Sequence, residues 1–555
     1  MWGYQSEFSS IYKRMASRDS SSSTDMEANS GYVPDNSGLL IIDPPWKHSL
    51  PHVLVATITS FLFGYHLGVV NEPLESISSD LGFSGNTLAE GLVVSTCLGG
   101  AFIGSLFSGW IADGFGRCKA FQLSALPMII GASMSALSKT LLGMLLGRFL
   151  VGIGMGVGPP VASLYVTEVS PAYVRGTYGS FIQISTCLGL MTALCIGIPV
   201  KDIVGWWRVC FWVSTIPSSL LALAMLVCAE SPCWLYKQGR IVEAEAELER
   251  LVGPSHVGPA MSDLSKLDKV DANDTVKLSE LLYGRYFRVV FIGSTLFALQ
   301  QLSGINAIFY FSSTVFKSVG IPSNLANISI GISNLAGSIV AMVLMDRLGR
   351  KALLLGSFLG MAICAAIQAV ATSHSLSANG ALYLSVGGML LFVFTFALGA
   401  GPVPGLLLPE IFPSRIRAKA MAVCMSVHWV IFLVLTCVIS ISLPFYTTNW
   451  KGPAYTWKTL KEPMPDSPRL NGKFSGDKLL CGLALLATTG AAWTTSPLFH
   501  VCHLLLDGSD LREEECDGDQ REVAARNRDC SPPTRLNIRA IFSWLLIDGI
   551  EEFAV

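Results

Sequence analysis

The distribution of charge constrains this chain more than any other feature. Residues 51–230 hold 15 charged side chains in 180 positions, and residues 285–443 hold 11 in 159. The segment 231–284 between them holds 15 in only 54. Stretches that cannot cover themselves with charge need lipid as their solvent, so the chain divides into apolar block, polar loop and apolar block. Composition agrees: 14% of the 555 residues are charged, against about 25% in soluble proteins. A net charge of −2 leaves no excess of Lys and Arg to neutralise phosphates, which argues against nucleic acid as a partner. The 14 cysteines include no CxxC pair, so neither a zinc module nor a disulfide framework is implied.

A helix needs about 20 apolar residues to cross the hydrocarbon core. On that rule six spans fit the first block, at 51–71, 89–111, 121–138, 141–166, 177–199 and 206–229. Five fit the second, at 287–311, 324–345, 352–372, 380–407 and 420–443, and a twelfth candidate at 479–506 follows a polar gap. The expected fold class is therefore an all-α membrane protein of 11–12 transmembrane helices. Its expected parts are a disordered polar segment (1–48), an N-terminal six-helix bundle (49–230), a linker loop (231–284), a C-terminal helical bundle (285–443) and a tail (444–555). The loop at 72–88 carries Glu72, Glu75 and Asp80 with no Lys or Arg. Alternate loops carry Arg117 and Lys119, then Arg175, then Arg347, Arg350 and Lys351, then Arg415, Arg417 and Lys419. The excess of basic residues places those loops, the N-terminus and the 231–284 linker on the cytosolic side. The acidic run at 241–250 suits a short solvated helix. Lys13, Arg14 and Arg18 beside Ser20–Ser23 have the composition of a targeting segment, and Glu7, Asp19, Asp25 and Glu27 oppose that reading.

The two blocks repeat each other. Gly109-x3-Asp113-x2-Gly116-Arg117 follows the second span, and Asp346-Arg347-Leu348-Gly349-Arg350 follows the eighth. Glu168 follows the fourth span and Glu410 the tenth, each seven residues before an arginine, Arg175 and Arg417. Two six-helix halves with matched charged loops mark a duplicated transporter. Further motifs are Arg148-x3-Gly152-x-Gly154-x-Gly156, Glu230-Ser-Pro-x-Trp234, Gln300-Gln301-Leu-Ser-Gly304-Ile-Asn306 and Gly401-Pro402-Val-Pro404. With these the chain resembles the sugar porters of the major facilitator superfamily over residues 50–440, and within them most resembles the plant plastidic glucose transporter group. The resemblance implies a major facilitator fold of two pseudo-symmetric six-helix bundles. It also implies a hexose carrier, glucose foremost, working by alternating access as a monomer in the lipid bilayer of a plastid envelope. The alternatives are a proton-coupled symporter and a transporter-like sugar sensor without net flux.

A hexose is uncharged and covered with hydroxyls, so its carrier needs amide partners and an apolar wall. The resemblance points to Gln183, Gln300, Gln301, Asn306, Asn334 and Trp429 as sugar contacts, with Tyr310 and Phe309 in an aromatic wall or gate. Gln300, Gln301 and Asn306 cannot share one face of a straight helix, and Ser303 and Gly304 give a place for that helix to unwind. The other reading of these amides is helix–helix glue. Three positions depart from the family: Gly405 stands where many relatives put a tryptophan, Ala397 replaces an acidic residue, and Phe432 replaces an asparagine. Asp113, Arg117, Glu168 and Arg175 are expected to pair across the halves with Asp346, Arg350, Glu410 and Arg417, as a gate or as topology signals. Proton-coupled relatives carry an aspartate at the position of His66, near Arg148. Histidine beside an arginine cannot reproduce the charge-pairing cycle of a carboxylate, so facilitated diffusion is expected. Beyond about 440 the resemblance fails: the family's closing Pro-Glu-x-Lys-Gly-type motif is absent, and 479–506 stands as a possible twelfth span in a divergent tail. No cofactor or metal is expected: there is no GxxxxGK loop, the Gly152–Gly156 pattern lies inside an apolar span, and His500, Cys502 and His503 have no second ligand pair. No paired carboxylates or nucleophile–base motif points to an enzyme.

Overall fold

In lipid a long apolar stretch can satisfy its backbone only as a helix or a closed barrel, and this chain forms helices. The computed structural model describes residues 33–34, 40–41 and 46–449, apart from 202, 272–277, 285, 307, 310–315, 317–322, 372–377 and 414. The chain divides into two contact units, 1–498 and 499–555, and every described residue lies in the first. The candidate twelfth span, the tail beyond 449 and Tyr310 lie outside the described residues, and residues 444–449 of the expected tail continue α16. Nine of the described helices are long and apolar enough to cross a membrane.

The first block is α1 (Trp46–Gly68), the short α2 (Leu74–Asp80), α3 (Thr87–Phe115), α4 (Arg117–Leu137), α5 (Leu141–Val169), α6 (Arg175–Ile196) and α7 (Trp206–Ala224). The polar loop forms α8 (Pro232–Lys237), α9 (Ile241–Val252), α10 (Val257–Asp271) and α11 (Leu278–Leu282). The second block is α12 (Phe287–Leu302), α13 (Ser323–Ala371), α14 (Ala378–Leu398), α15 (Pro402–Ile411) and α16 (Arg417–Asn449). Helix α1 begins at Trp46, slightly before the expected boundary, and Val33–Pro34 pairs antiparallel with Leu40–Ile41 within the N-terminal segment. At 49 residues α13 is far too long for one crossing, since each residue adds about 1.5 Å. Gly349 (φ 79°, ψ 163°) breaks it into two spans. Gly116 (φ 95°) does the same between α3 and α4. Only glycine adopts that conformation cheaply, so the sequence repeat is a backbone repeat as well.

The glycines of α5 serve close packing. A Cβ at Gly152 or Gly156 would overlap the carbonyl of Cys97 or Ala101 on α3, and one at Gly154 would overlap Ser124 on α4. This is helix packing of the small-residue type. Gly156→Val should therefore destabilise the first block by about 1–3 kcal/mol through overpacking. A lower melting temperature in detergent checks this; an unchanged one contradicts it.

The two blocks touch at the basic-loop end. A Cβ at Gly109 of α3 would lie 2.7 Å from the Ala418 carbonyl of α16, and Ser105 Oγ and Ser426 Oγ are 3.0 Å apart. Along the α6–α13 pair, Cys187 Sγ and Ser338 Oγ are 3.3 Å apart. At the opposite end Asn327 Nδ2 donates to Glu72 Oε1 at 3.3 Å, and Lys201 Nζ lies 3.6 Å from Glu72 Oε2. In the polar loop α9 buries Ala244, Leu248 and Leu251 and turns Glu243, Glu245 and Glu249 outward, the amphipathic helix expected of that acidic run.

Candidate functional site

Helix α12 stops at Leu302, and Gly304 (φ 83°) turns the chain sharply. On an unbroken helix side chains five residues apart would point about 140° away from each other. The break brings them together: Asn306 Nδ2 donates to Gln301 Oε1. The Gln301 amide nitrogen in turn lies 3.0 Å from His428 Nδ1 on α16. His428 was not among the residues expected here. Its sequence signal is weak, a lone histidine before Trp429 in an uncharged span, yet polar groups at such depth are expensive and usually functional.

A second break supplies acceptors. The residues 380–407 read as one span, but α14 ends at Leu398 and α15 starts at Pro402. Pro404 has no N–H to offer the Ala400 carbonyl one turn back. Gln300 takes that place, its Nε2 donating to Ala400 O at 2.7 Å and Gly401 O at 2.9 Å. Ser357 Oγ accepts from Ala400 N at 2.9 Å and fixes the break from α13. On the facing block the Gln183 amide abuts the same turn, 3.3 Å from where a Cβ of Gly401 would sit. Gln183 Nε2 donates to Cys187 Sγ at 3.6 Å, Cys187 meets Ser338, and Ser338 Oγ donates to the Asn334 carbonyl at 3.0 Å. Gln183 and Gln300 thus meet at the Gly401 turn, Gln301 and Asn306 join each other and His428 within the second block, and Asn334 lies one turn from Ser338, which meets Cys187. Gln300 Oε1 and Asn334 Oδ1 are buried there without a partner among the described residues.

An aromatic cluster borders these amides. Trp429 is fully buried, edge-on to Phe63 at 5.7 Å and stacked on Phe432 at 6.1 Å. His428 bridges to Phe297 at 5.5 Å and Trp429 at 5.2 Å. Phe432, where the family's asparagine is missing, therefore extends the apolar wall. Phe309 is half-buried three residues beyond Asn306.

The charged loops form close ion pairs within each block. Arg117 Nε donates to Glu168 Oε2 at 2.8 Å and Nη1 reaches Asp113 at 3.4 Å, all within the first block. Arg350 Nη2 meets Glu410 at 3.1 Å and Nη1 meets Asp346 at 3.4 Å, all within the second. Across the blocks Thr177 Oγ1 donates to Asp346 Oδ2 at 2.8 Å, and at longer range Arg417 attracts Glu168, two residues expected to pair, and Lys419 attracts Asp113. The glycine turn between aspartate and arginine explains the local ion pairs: Gly116 and Gly349 each follow the aspartate by three residues and bring the arginine that opens the next helix back onto it. Arg175 is half-buried at the start of α6, and Arg417 Nε donates to the Phe412 carbonyl at 3.3 Å.

The Glu230-Ser-Pro-x-Trp234 motif clasps the first cluster. Glu230 accepts from Arg117 N at 2.9 Å and Cys118 N at 3.1 Å, capping α4, while Ser231 Oγ donates to Glu168 at 2.6 Å and Trp234 Nε1 to the Asp113 carbonyl at 2.8 Å. Burial pushes the Glu230 carboxyl above its usual range, opposed by these N–H donors. Arg117 and Glu168 are consequently 2% and 3% exposed, whereas Arg350 and Glu410 keep 16% and 20%. A Cβ at Gly349 would meet no described atom within 4 Å, while one at Gly116 would meet the Glu230 carboxylate.

His66 and Arg148 are neighbours and both buried. Arg148 donates weakly to the His66 and Val93 carbonyls at 3.4 Å, and neither His66 ring nitrogen has a partner among the described residues.

Comparison with known proteins gives this arrangement its context. The family model described as "Sugar (and other) transporter" matches residues 52–458. The chain is 73% identical to "Probable plastidic glucose transporter 2" of Arabidopsis thaliana over 435 residues, covering 78% of this chain and 88% of that one. It is 66% identical to "Probable plastidic glucose transporter 3" of the same plant over 421 residues, covering 76% and 85%. A solved structure described as the major facilitator superfamily proton:xylose symporter XylE bound to 6-bromo-6-deoxy-D-glucose matches with a TM-score of 0.67 and 25% identity, over 81% of this chain and 95% of that one. The broken helices and repeated charged loops are thus those of a major facilitator fold, and the chain belongs to the sugar transporter family.

Proposed function

We propose that this protein carries glucose across the plastid envelope by facilitated diffusion, as a monomer whose two halves alternate access to one central site. The observation that carries the substrate class is the amide region between the blocks. The breaks at Gly304 and at Leu398–Pro402 place Gln300, Gln301 and Asn306, and Gln183 abuts the second break from the facing block, with Asn334 buried on α13. Each amide offers two donors and an acceptor to replace the water a sugar hydroxyl gives up. Asn306 and His428 hold the Gln301 amide from two sides, so its direction is set before sugar arrives. The Phe63, Trp429 and Phe432 rings supply the apolar wall for the sugar's C–H face. The relatives' names support glucose and the plastid.

The charged loops serve as the gate at the basic-loop end. Within each half an ion pair shapes the loop, and Thr177–Asp346 with the Arg417–Glu168 attraction joins the halves. Contacts of this kind are weak enough to part, at about 0–1 kcal/mol for an exposed pair. Arg417→Ala removes the attraction and should shift the carrier toward opening at this end. Cysteine-labelling rates from the two sides of the membrane check it: faster labelling from the basic-loop side is expected, and unchanged rates leave these loops with a topological role only.

Expression in yeast that lacks hexose transporters tests the function itself. Labelled glucose uptake that saturates and requires Gln301 is expected. Glucose binding without uptake by correctly inserted protein would make it a sensor instead.

A further inference from the structure

A carrier that alternates access has to close at both ends, and the charged loops lie at one of them. At the other end the loop after α1 brings a carboxylate to the seam between the blocks. Glu72 is 17% exposed there. Its Oε1 accepts from Asn327 Nδ2 at 3.3 Å, near the start of α13 in the second block. Its Oε2 lies 3.6 Å from Lys201 Nζ, beyond α6 in the first. The two oxygens of one carboxylate thus face partners from different halves. Glu72 and Lys201 follow helices that are packed backbone to backbone. A Cβ at Gly64 of α1 would overlap the Thr186 carbonyl of α6, and one at Gly189 of α6 would overlap the Phe61 carbonyl of α1. The two residues therefore move as one body, and the bond to Asn327 is the contact that has to give. One turn further on the same face of α13, a Cβ at Gly331 would lie 2.7 Å from Met191 of α6, so this face closes against the first block.

We propose that Glu72 is the latch of this end: Lys201 aims its carboxylate, Asn327 closes on it, and the bond parts each time the carrier opens away from the basic loops. The proposal rests on the alternating-access reading above. An amide donating to a carboxylate makes a charge-assisted bond, stronger than a neutral one. Water replaces it once the seam opens, so it biases the two states without trapping either. Lys201 is 51% exposed, and an exposed ion pair is weak, which suits aiming the carboxylate better than closing the seam. The two ends are then held by different chemistry, ion-paired loops at one and a carboxylate–amide bond at the other.

Maleimide labelling of reconstituted protein from each side of the membrane tests the latch. Met191→Cys reports on the seam at the Glu72 end and Ser105→Cys on the seam at the basic-loop end, each compared with the same protein without the added cysteine. Glu72→Ala and Asn327→Ala should each raise the labelling rate of Met191→Cys about three- to ten-fold and lower that of Ser105→Cys. Glu72→Gln keeps an acceptor for Asn327 and should restore most of the wild-type rate. Lys201→Met should act in the direction of Glu72→Ala with a smaller effect. Opposite signs at the two ends distinguish a latch from a contact that merely holds the fold, whose loss would speed labelling at both. If Glu72→Ala fails to insert, Asn327→Ala tests the same bond from the other half. Unchanged rates in inserted Asn327→Ala, or rates that rise at both ends, overturn the latch. Glucose flux in the same vesicles keeps the premise apart. Flux with unmoved labelling removes the latch alone, and opposite shifts in a protein that moves no glucose keep the latch and remove the glucose carrier.

Discussion

Gln301→Ala is expected to lower glucose uptake about 5- to 150-fold while membrane abundance stays near wild type. The Gln301 amide is the hub of its region, joined to Asn306 within its own broken helix and to His428 on α16. Truncation removes the proposed sugar partner and strands buried His428 and half-buried Asn306, and an unsatisfied buried group costs about 1–3 kcal/mol, which converts to that range of rate. Asn306→Ala should act in the same direction. Its effect should be smaller, because His428 still holds Gln301. The double mutant should fall short of the product of the two, since residues in one network couple. Uptake by cells matched for membrane abundance is the measurement. Unchanged uptake in both single mutants would remove the amide region from the transport path.

The second large effect concerns stability and separates the two halves. In the first half Glu168 and Arg117 are almost wholly buried and Ser231 bonds the same carboxylate. Removing one partner of a buried pair typically costs about 3–5 kcal/mol, because it leaves a charge without compensation. In the second half the matching Arg350–Glu410 pair is partly exposed, and its loss costs about 1 kcal/mol. Glu168→Ala should therefore sharply lower thermal stability and yield in detergent, and Glu410→Ala should change them little. Equal losses would show that burial does not set the difference. The asymmetry has a covalent origin: Glu230, Ser231 and Trp234 follow α7 and close over the first cluster.

Much of this was legible in the sequence because lipid leaves few choices. An apolar run of about 20 residues must be a helix, so the order of spans followed from where the charges lie. The turns at Gly116 and Gly349 were legible as a repeat, and the Gly304 break as a Ser-Gly step between amides. The break before Pro402 was written in the sequence as well, through Pro402 and Pro404, but a hydropathy reading passes over it because both residues are apolar. What the sequence does not show is which distant groups meet. His428 and Gln301 are 127 residues apart, and nothing local to either announces the other. The same holds for the charged loops: spacing showed that Asp, Glu and Arg would cluster, yet whether each arginine turns to its own half or the facing one depends on the packing of α3 on α16 and of α6 on α13. Glu230 and Ser231 stood in a recognised motif, but their partners became visible only once α7 and α4 were side by side.

The mechanism of coupling comes down to His66. A proton-driven carrier of this kind needs an acid that takes up a proton and thereby releases a neighbouring arginine. Among the described residues the Arg148 side chain donates to the backbone carbonyls of His66 and Val93. Histidine stands where a carboxylate would take up that proton, so on the facilitated-diffusion reading the glucose gradient alone should drive transport. Labelled glucose uptake into proteoliposomes, with and without an imposed pH gradient, tests this most directly. Uptake should rise to the outside concentration and stop there in both cases. Accumulation above that level, abolished by a protonophore, would contradict the account, and no glucose flux at all would contradict it more deeply.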